Sequence, residues 1–184
     1  MAKTMLTSQA NEAHLLARAL ELDSQALGEI HDRYYPEIYR YAFLRTGEQG
    51  LAEDIAGEVF LRLLNALHRG RPPHTTLRGW LFGVASHLVV DTYHEGHTLP
   101  LTEFHSDGRS TQAEAEERIL QADVRAAIRQ LTPEQQEVLA LRFSGGFSVE
   151  DTARLMERSV TAVKALQFRA VDTLRQVMAE VGNG

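Results

Sequence analysis

The stretch from Ser148 to Arg175 limits the fold of this chain more than any other. In its second half, apolar residues recur at spacings of three, four and seven, so they share one face of a helix with 3.6 residues per turn. That face contains Val160, Val163, Ala170, Val171, Leu174 and, just beyond the stretch, Met178. At its start, Ser148 followed by Asp151 is typical of a helix N-cap. The pattern therefore predicts two helices joined by a tight turn, a helix-turn-helix.

The opposite side of the predicted second helix carries polar, basic and aromatic residues, namely Thr161, Lys164, Ala165, Phe168, Arg169 and Arg175. A helix of this kind can lie in the major groove of DNA. The whole chain has a formal net charge of −6, from 19 Lys and Arg against 25 Asp and Glu. Between Arg158 and Arg175, however, four cations oppose Asp172 alone. Phosphate neutralisation is therefore available locally, while the acidic remainder argues against tight DNA binding by the chain alone.

The composition of the whole chain favours an all-α fold, because it has only five Pro and little strand-like alternation. Cys is absent, which excludes disulfides, thiolate zinc sites and cysteine nucleophiles. The chain lacks an apolar run of about 18 residues and a secretory leader, so we expect a cytoplasmic protein without membrane insertion. It also lacks a glycine-rich phosphate loop and a nucleophile elbow. We therefore expect neither enzymatic activity nor a cofactor.

A polar stretch divides the chain. Residues 98–118 hold five acidic and two basic residues together with Pro100 and Gly108, which is typical of a flexible linker. We therefore expect two small helical domains, residues 1–97 and 119–184, joined by this flexible acidic linker. The first domain should contain five helices: Asn11 to about Leu20, Asp23 to Pro36, Glu37 to Thr46, Leu51 to His68, and one that begins near Leu77.

Two local patterns carry further structural predictions. Thr132 followed by Pro133 is typical of a helix start, and the pair Gly145–Gly146 is typical of a helix end. Trp80 lies within the helical pattern that begins near Leu77. A tryptophan can stack on a DNA base, but at helical spacing it more often packs in a core.

The helix predicted from Leu51 to His68 has a broad apolar face and a polar side. Asp54, Glu58 and Arg62 project from the polar side, where Leu61 is also found. A solvated charged face is the more common explanation of such a pattern, and single exposed leucines are ordinary. An exposed leucine beside two carboxylates also fits a docking surface for a protein partner.

The order of these motifs resembles the extracytoplasmic-function group of the sigma-70 family, bacterial RNA polymerase initiation subunits built from regions 2 and 4. The resemblance to region 2 covers about residues 24–97, through AEDIAGEVFLRLL and LRGWLFGVASHLVVD. The resemblance to region 4 covers Ile119 to Met178, through LTPEQQEVLALRF and the helix-turn-helix. Each motif alone is weak, whereas their order and spacing together are specific. The resemblance implies three partners: core RNA polymerase with its β′ and β subunits, promoter DNA, and an anti-sigma factor that holds the protein inactive.

The resemblance also assigns residues to these partners. It implies that the β′ coiled coil of core polymerase contacts Asp54, Glu58, Leu61 and Arg62. It implies that a flipped base of the −10 element meets the loop from Arg69 to Thr76 and its surroundings, with Arg69, Arg71, His74, Thr75, Thr76 and Arg78 as the candidates. For the −35 element it implies Arg142, Arg158, Thr161, Lys164, Ala165, Gln167, Phe168 and Arg169, with Arg142 at a phosphate.

Two departures from the family pattern bear on DNA binding. After Asp91 the family usually continues with a run of arginines along the DNA backbone, but this chain reads TYHEGH. We therefore expect fewer phosphate contacts and a weaker salt dependence. Where relatives often carry Ser-Arg after the recognition lysine, this chain has Ala165 and Leu166, which removes a pair of hydrogen-bond donors from the −35 face.

The histidines offer a competing chemistry. His87, Asp91 and His94 recur at i, i+4 and i+7, a spacing that suits zinc or another borderline metal. An ordinary helix face is the more common explanation, and we expect no metal. A proton-sensing role is a separate hypothesis, because imidazoles protonated near about pH 6 would restore positive charge after Asp91.

Two alternative functions stay open from the sequence. The missing basic run suggests a sigma-like interaction module that binds polymerase or a regulator without reading promoters. A conventional helix-turn-helix regulator that acts as a dimer is the other alternative. It is disfavoured because nothing in the sequence resembles a dimerisation element.

Overall fold

The computed structural model describes residues 2–94 and 126–181, with side chains described for residues 11–93 and 126–179. All regular structure in these ranges is helical. The chain divides into two compact units, Met1–His97 and Thr98–Gly184. The linker predicted over residues 98–118 and the predicted start of the second domain at residue 119 lie outside the described residues.

The N-terminal unit consists of four helices: α1 (Ala2–Leu20), α2 (Ser24–Thr46), α3 (Gln49–His68) and α4 (Leu77–His94). The longest of them, α2, packs against each of the other three. Its buried residues meet apolar side chains of α3 and α4, and the Tyr41 ring stands edge-on to the Phe82 ring with 5.4 Å between their centres. Such edge-to-face contacts add to the stabilisation that burial provides.

The prediction that a helix ends at Pro36 is wrong, because α2 continues through this residue to Thr46. A proline inside a helix removes one backbone hydrogen bond and costs about 3 kcal/mol. The helix persists because Ile30, Tyr34, Ile38 and Tyr41 keep helical spacing across Pro36 and are all buried on one face. Burial of these side chains, at about 1.5–3 kcal/mol for each large one, outweighs the loss.

The C-terminal unit contains α5 (Pro133–Leu139), a π-helical segment (Ala140–Ser144), α6 (Val149–Leu155) and α7 (Val160–Val181). Residues 126–129 are also helical. Its core includes a cluster to which all three helices contribute: Leu131, Val138, Leu139, Ala153, Val163, Leu166 and Ala170. The turn between α6 and α7 includes Glu157 at a φ of 52°, in the left-handed region. The predicted helix-turn-helix is therefore present.

The helix ends of this unit follow the local sequence. Thr132 caps α5 in a capping box with Gln135, as its position before Pro133 predicts. The Ser148 hydroxyl accepts a hydrogen bond from the Asp151 N–H at 3.0 Å and caps α6. Gly146 has a φ of 60°, and a Cβ on Gly145 would lie 2.8 Å from the Leu141 carbonyl oxygen. Both glycines are therefore required where the sequence predicts the helix to end.

Candidate nucleic-acid interface

The outward face of α7 is the most regular exposed surface of the C-terminal unit. Its members lie at spacings of three, four, seven and eight and are all exposed: Thr161, Lys164, Ala165, Phe168 and Arg169. Phe168 leaves 73% of its surface in solvent, although apolar side chains of this size usually lie in cores. On the opposite side of the same helix Val163 and Ala170 are fully buried, and Val160, Val171 and Leu174 are partly buried against the same core. The same helix thus has one face in the core and a separate face exposed to solvent.

Leu166 does not belong to the exposed face. It is 8% exposed and packs in the core cluster with Val163 and Ala170. Of the two positions where this chain departs from the Ser-Arg of relatives, Leu166 therefore belongs to the core. Consecutive residues on a helix point about 100° apart, so only Ala165 lies on the outward face.

Arg142 anchors the π-helical segment to α7. Its Nε donates to the Gln167 side-chain oxygen at 3.2 Å, and its Nη1 donates to the Phe147 carbonyl oxygen. These bonds hold the guanidinium beside Gln167 of α7 and fix its orientation. Gln167, which is partly buried, is held as the acceptor of this bond.

Arg158, at the turn before α7, forms an ion pair with Glu134 of α5. Both side chains are about half exposed, at 51% each. An exposed pair of this kind contributes little stability, but the carboxylate offsets the positive charge next to the N-terminus of α7. Ser159 caps that terminus by accepting from the Ala162 N–H at 3.1 Å.

In the N-terminal unit, an irregular loop separates α3 from α4. Arg69, Arg71, His74 and Thr75 are exposed along it, whereas Pro73 is buried and anchors its middle. Two cations and an imidazole are therefore displayed together on one short segment. This charge suits contact with a polyanion.

Two of the predicted loop residues are engaged within the unit. The Thr76 hydroxyl accepts from the Gly79 N–H at 3.1 Å, and the Thr76 carbonyl accepts from the Trp80 N–H at 3.0 Å. Thr76 is therefore the N-cap of α4. Arg78 donates through Nε and Nη2 to the Glu37 carboxylate at 3.2 and 3.0 Å, which ties α4 to α2. Trp80 is half-buried, so its position is intermediate between the core and the surface.

One residue near this loop carries no sequence signal that singles it out. Glu12 of α1 accepts a hydrogen bond from the Leu77 N–H at 2.6 Å, across 65 positions of the chain. Its other carboxylate oxygen accepts from the Tyr34 hydroxyl at 3.3 Å. Burial, and after it the nearby Glu12 charge, raises the pKa of Tyr34 to about 12.

The outer side of α3 combines charge with exposed apolar surface. Leu61 is 53% exposed, as its place on the polar side predicts, and Asp54 is exposed near it. Glu58 accepts from Arg62 Nε at 2.8 Å, an i,i+4 pair. Leu64, which the sequence places on the apolar face, is 41% exposed and extends this outer surface instead.

The histidine-rich end of α4 carries no metal-binding arrangement in the described parts of the chain. Within residues 2–94 and 126–181, no group of three His, Cys, Asp or Glu could hold a metal ion. His87 and Asp91 are exposed, and the side chain of His94 lies outside the described residues. None of the helices in these ranges is long and apolar enough to cross a membrane.

A helix-turn-helix with an outward basic and aromatic face, together with a helical unit that displays a basic loop, is typical of a DNA-binding protein. Comparison with known proteins agrees. Residues 30–96 match the family model for sigma-70 region 2, and residues 121–174 match the model for sigma-70 region 4. Region 2 thus falls in the N-terminal unit and region 4 in the C-terminal unit.

Individual proteins give the same result. The chain is 32% identical over 180 residues to the ECF RNA polymerase sigma factor BldN of Streptomyces coelicolor, over 95% of this chain and 68% of BldN. The solved structure of CnrH in complex with the cytosolic domain of CnrY shares the fold, with a TM-score of 0.71, 20% identity and coverage of 92% and 97%. So does the sigma factor RpoE in complex with the anti-sigma factor NepR from Bartonella quintana, with a TM-score of 0.65, 16% identity and coverage of 83% and 96%.

The chain therefore belongs to the extracytoplasmic-function (ECF) RNA polymerase sigma factors of the sigma-70 family. Proteins of this family direct RNA polymerase to promoters and are in general not enzymes.

Proposed function

We propose that this protein reads two promoter elements through two separate surfaces while it is bound to core RNA polymerase. Residues 119–184 contact the −35 element through the outward face of α7. Residues 1–97 bind the core enzyme through α3 and the −10 element through the loop between α3 and α4. The observation that carries this proposal is the division of α7 into an apolar face packed on the core, with Val163, Leu166 and Ala170 buried, and an exposed face.

On α7, each type of exposed side chain suits one kind of DNA contact. Lys164 and Arg169 can donate to guanine or to phosphate oxygens, and Thr161 can donate or accept. The exposed ring of Phe168 and the methyl group of Ala165 offer apolar contacts for a thymine methyl group. Arg142, fixed by its bonds to Gln167 and Phe147, is placed to contact a phosphate and to set the register of the helix.

At the loop, the exposed side chains contact single-stranded DNA. Arg69 and Arg71 supply charge for the backbone, and His74 and Thr75 offer donors to a base turned out of the duplex. Extrusion of a base costs a few kcal/mol, which contacts in a pocket must recover. Thr76 and Arg78 stabilise the end of the loop through their hydrogen bonds to Gly79 and Glu37.

Core polymerase supplies the affinity that this acidic chain lacks. With a net charge of −6, and with Arg158 paired to Glu134, the protein offers few uncompensated cations to DNA. The outer side of α3, with Asp54, Glu58, Leu61 and Arg62, combines an apolar centre and a charged rim as protein interfaces do. We assign it to the β′ subunit, and the C-terminal unit to the β subunit.

We also propose that this protein is cytoplasmic and that an anti-sigma factor regulates it. The sigma factor RpoE, which shares the fold, was solved in complex with the anti-sigma factor NepR. Copurification from the native cell should recover such a partner in addition to polymerase. Recovery of polymerase alone would contradict this part of the proposal.

Run-off transcription with purified core polymerase and genomic promoter fragments tests the whole assignment. Promoter-specific transcripts that appear only when this protein is added support it. Binding to the core enzyme without transcripts would indicate an interaction module instead. Binding to a DNA operator without polymerase would indicate a conventional helix-turn-helix regulator.

A further inference from the structure

The N-terminus of α4 is held by a residue from a different helix. The first N–H groups of any helix have no partner within the helix and must be satisfied in other ways. In α4, the Leu77 N–H donates to a Glu12 carboxylate oxygen at 2.6 Å, and the Gly79 N–H donates to the Thr76 hydroxyl at 3.1 Å. A carboxylate is also favoured here by the helix dipole. Glu12 and Thr76 thus share the capping of α4.

The Glu12 carboxylate is itself fixed on its second side. The Tyr34 hydroxyl donates to Oε2 at 3.3 Å, and Tyr34 is only 2% exposed, within the core of α2. A tyrosine hydroxyl is protonated throughout the neutral pH range, so it remains a donor to Glu12 there. The carboxylate therefore connects α1, α2 and α4 at one point.

The backbone at the N-terminus of α4 is closely packed and held by further contacts. A Cβ on Gly79 would lie 2.9 Å from the Thr76 hydroxyl oxygen, so a side chain at this position would displace the cap. The adjacent Arg78 is held by Glu37. The loop of residues 69–76 therefore ends at the N-terminus of α4, which is held in place by contacts with α1 and α2. The exposed loop residues His74 and Thr75 lie within three positions of Leu77.

We infer that Glu12 is a positioning residue for the reading of the −10 element. Its carboxylate holds the end of the loop in the geometry that accepts the extruded base, although Glu12 itself lies 57 positions before the start of that loop. This inference rests on the proposed function of the loop. It adds a residue of α1 to the determinants of promoter selectivity.

The test compares two templates, a promoter that the protein uses and the same promoter with one −10 base replaced. Transcription by the reconstituted holoenzyme gives a discrimination ratio, which does not depend on the fraction of active protein. We expect Glu12→Ala to lower this ratio by about tenfold, the effect of one hydrogen bond to a charged group. Glu12→Gln should lower it by about threefold, because the amide oxygen can still accept from Leu77 while the charge is lost.

The control variant is Glu21→Gln, which removes the same charge from an exposed position just after α1 and should leave the ratio unchanged. Trp80 fluorescence reports whether α4 is intact in each variant, and Glu12→Gln remains available if Glu12→Ala does not fold. A ratio that stays at the wild-type value in both Glu12 variants, while total transcript falls, would mean that Glu12 only stabilises the unit.

The variant His74→Ala distinguishes an error in the inference about Glu12 from an error in the proposed function of the loop. If His74→Ala lowers the ratio and the Glu12 variants do not, the loop reads the −10 element and the inference about Glu12 is wrong. If neither His74→Ala nor the Glu12 variants change the ratio, the proposed role of the loop is wrong, and the inference is lost with it.

Discussion

The two DNA-facing surfaces of this protein are supported in different ways. On α7 the exposed face and the core face belong to one helix, and the capping contacts lie elsewhere, at Ser159 and Ser148. In the loop of residues 69–76, Thr76 caps the next helix, and the end of the loop depends on Glu12 from another helix. DNA contact and structural support therefore fall to different residues on the outward face of α7, whereas in the loop of residues 69–76 they fall to neighbouring residues of one short segment.

This difference predicts how each surface tolerates change. A helix with two independent faces can exchange its outward residues without loss of stability, so its sequence preference can change through single substitutions. The loop cannot, because some of its residues also support the fold. Variants that separate stability from DNA binding should therefore be common on α7 and rarer in the loop.

The largest expected effect separates two consecutive residues of α7. Leu166→Ala should destabilise the C-terminal unit by about 2–3 kcal/mol, because it leaves a cavity in the core cluster. Ala165→Ser should change stability by less than about 0.5 kcal/mol and instead alter the preferred −35 sequence, because residue 165 is exposed. Equal destabilisation by the two variants would contradict the division of the helix into two faces.

Denaturant unfolding of the full chain measures this difference. The only tryptophan, Trp80, lies in the N-terminal unit, so its fluorescence follows that unit alone. Far-UV circular dichroism follows the helices of both units. Leu166→Ala should shift the circular dichroism transition of the C-terminal unit and leave the Trp80 transition in place.

The second prediction contrasts the two surfaces directly. Lys164→Ala should weaken −35 recognition by about 1–3 kcal/mol with little change in stability, because Lys164 is exposed on α7. Thr76→Val should reduce both −10 recognition and the stability of the N-terminal unit, the latter by about 1 kcal/mol, because the cap of α4 is lost. Promoter binding by the holoenzyme and Trp80 unfolding measure the two quantities. If Thr76→Val left the stability of the N-terminal unit unchanged, the proposed difference between α7 and the loop would be wrong.

The sequence predicts the C-terminal unit well because its signals are local. The apolar spacing along α7 and the caps at Ser148 and Thr132 involve residues within a few positions of each other. Leu166, the second residue of the departure from the family pattern, fits the same helical period. Its membership in the core follows from the three-residue spacing to Val163.

The support of the loop could not be predicted, because Glu12 and Leu77 are 65 positions apart and no local pattern joins them. The error at Pro36 has a different cause. The proline rule describes a local cost, whereas the outcome depends on the burial of Tyr34 and Ile38 on either side of it. Tertiary packing decided both cases.

The third prediction tests the cap of α6, the helix that packs against α7. Ser148→Ala should destabilise the C-terminal unit by about 1 kcal/mol at neutral pH, because the N-cap hydroxyl is lost. Burial of Asp151 opposes its ionisation, but bonds from Ser148 and from Arg154 prevail and hold the pKa of this carboxyl below its ordinary value of 3.8.

A group whose pKa is lowered by folding stabilises the folded state above its unfolded pKa, and this contribution is lost as the pH falls. Asp151→Asn should therefore flatten the loss of stability of the C-terminal unit below about pH 4. The effect should be small, because the side chain is 41% exposed. Circular dichroism unfolding over an acidic pH series measures it, and an unchanged slope in Asp151→Asn would contradict the assignment.

The smallest expected effect concerns the pair of Arg158 and Glu134 beside α7. Glu134→Gln should change stability by less than about 1 kcal/mol, since both partners are half exposed. It should nevertheless release Arg158 for a phosphate, so promoter affinity should rise and the salt slope should steepen by up to about 1. Holoenzyme binding to promoter DNA over a series of salt concentrations gives both quantities.

Two controls distinguish release of Arg158 from a general loss of negative charge. Glu150→Gln removes a carboxylate from another exposed position of the same unit and should change affinity less. The double variant Glu134→Gln with Arg158→Ala should lose the gain, because no cation is left to release. If the double variant keeps the higher promoter affinity, the charge of Glu134 repels DNA directly and the release of Arg158 does not explain the effect. The C-terminal unit would then tune its DNA affinity through its overall charge, and the separation of readout from support on α7 would not extend to the turn before it.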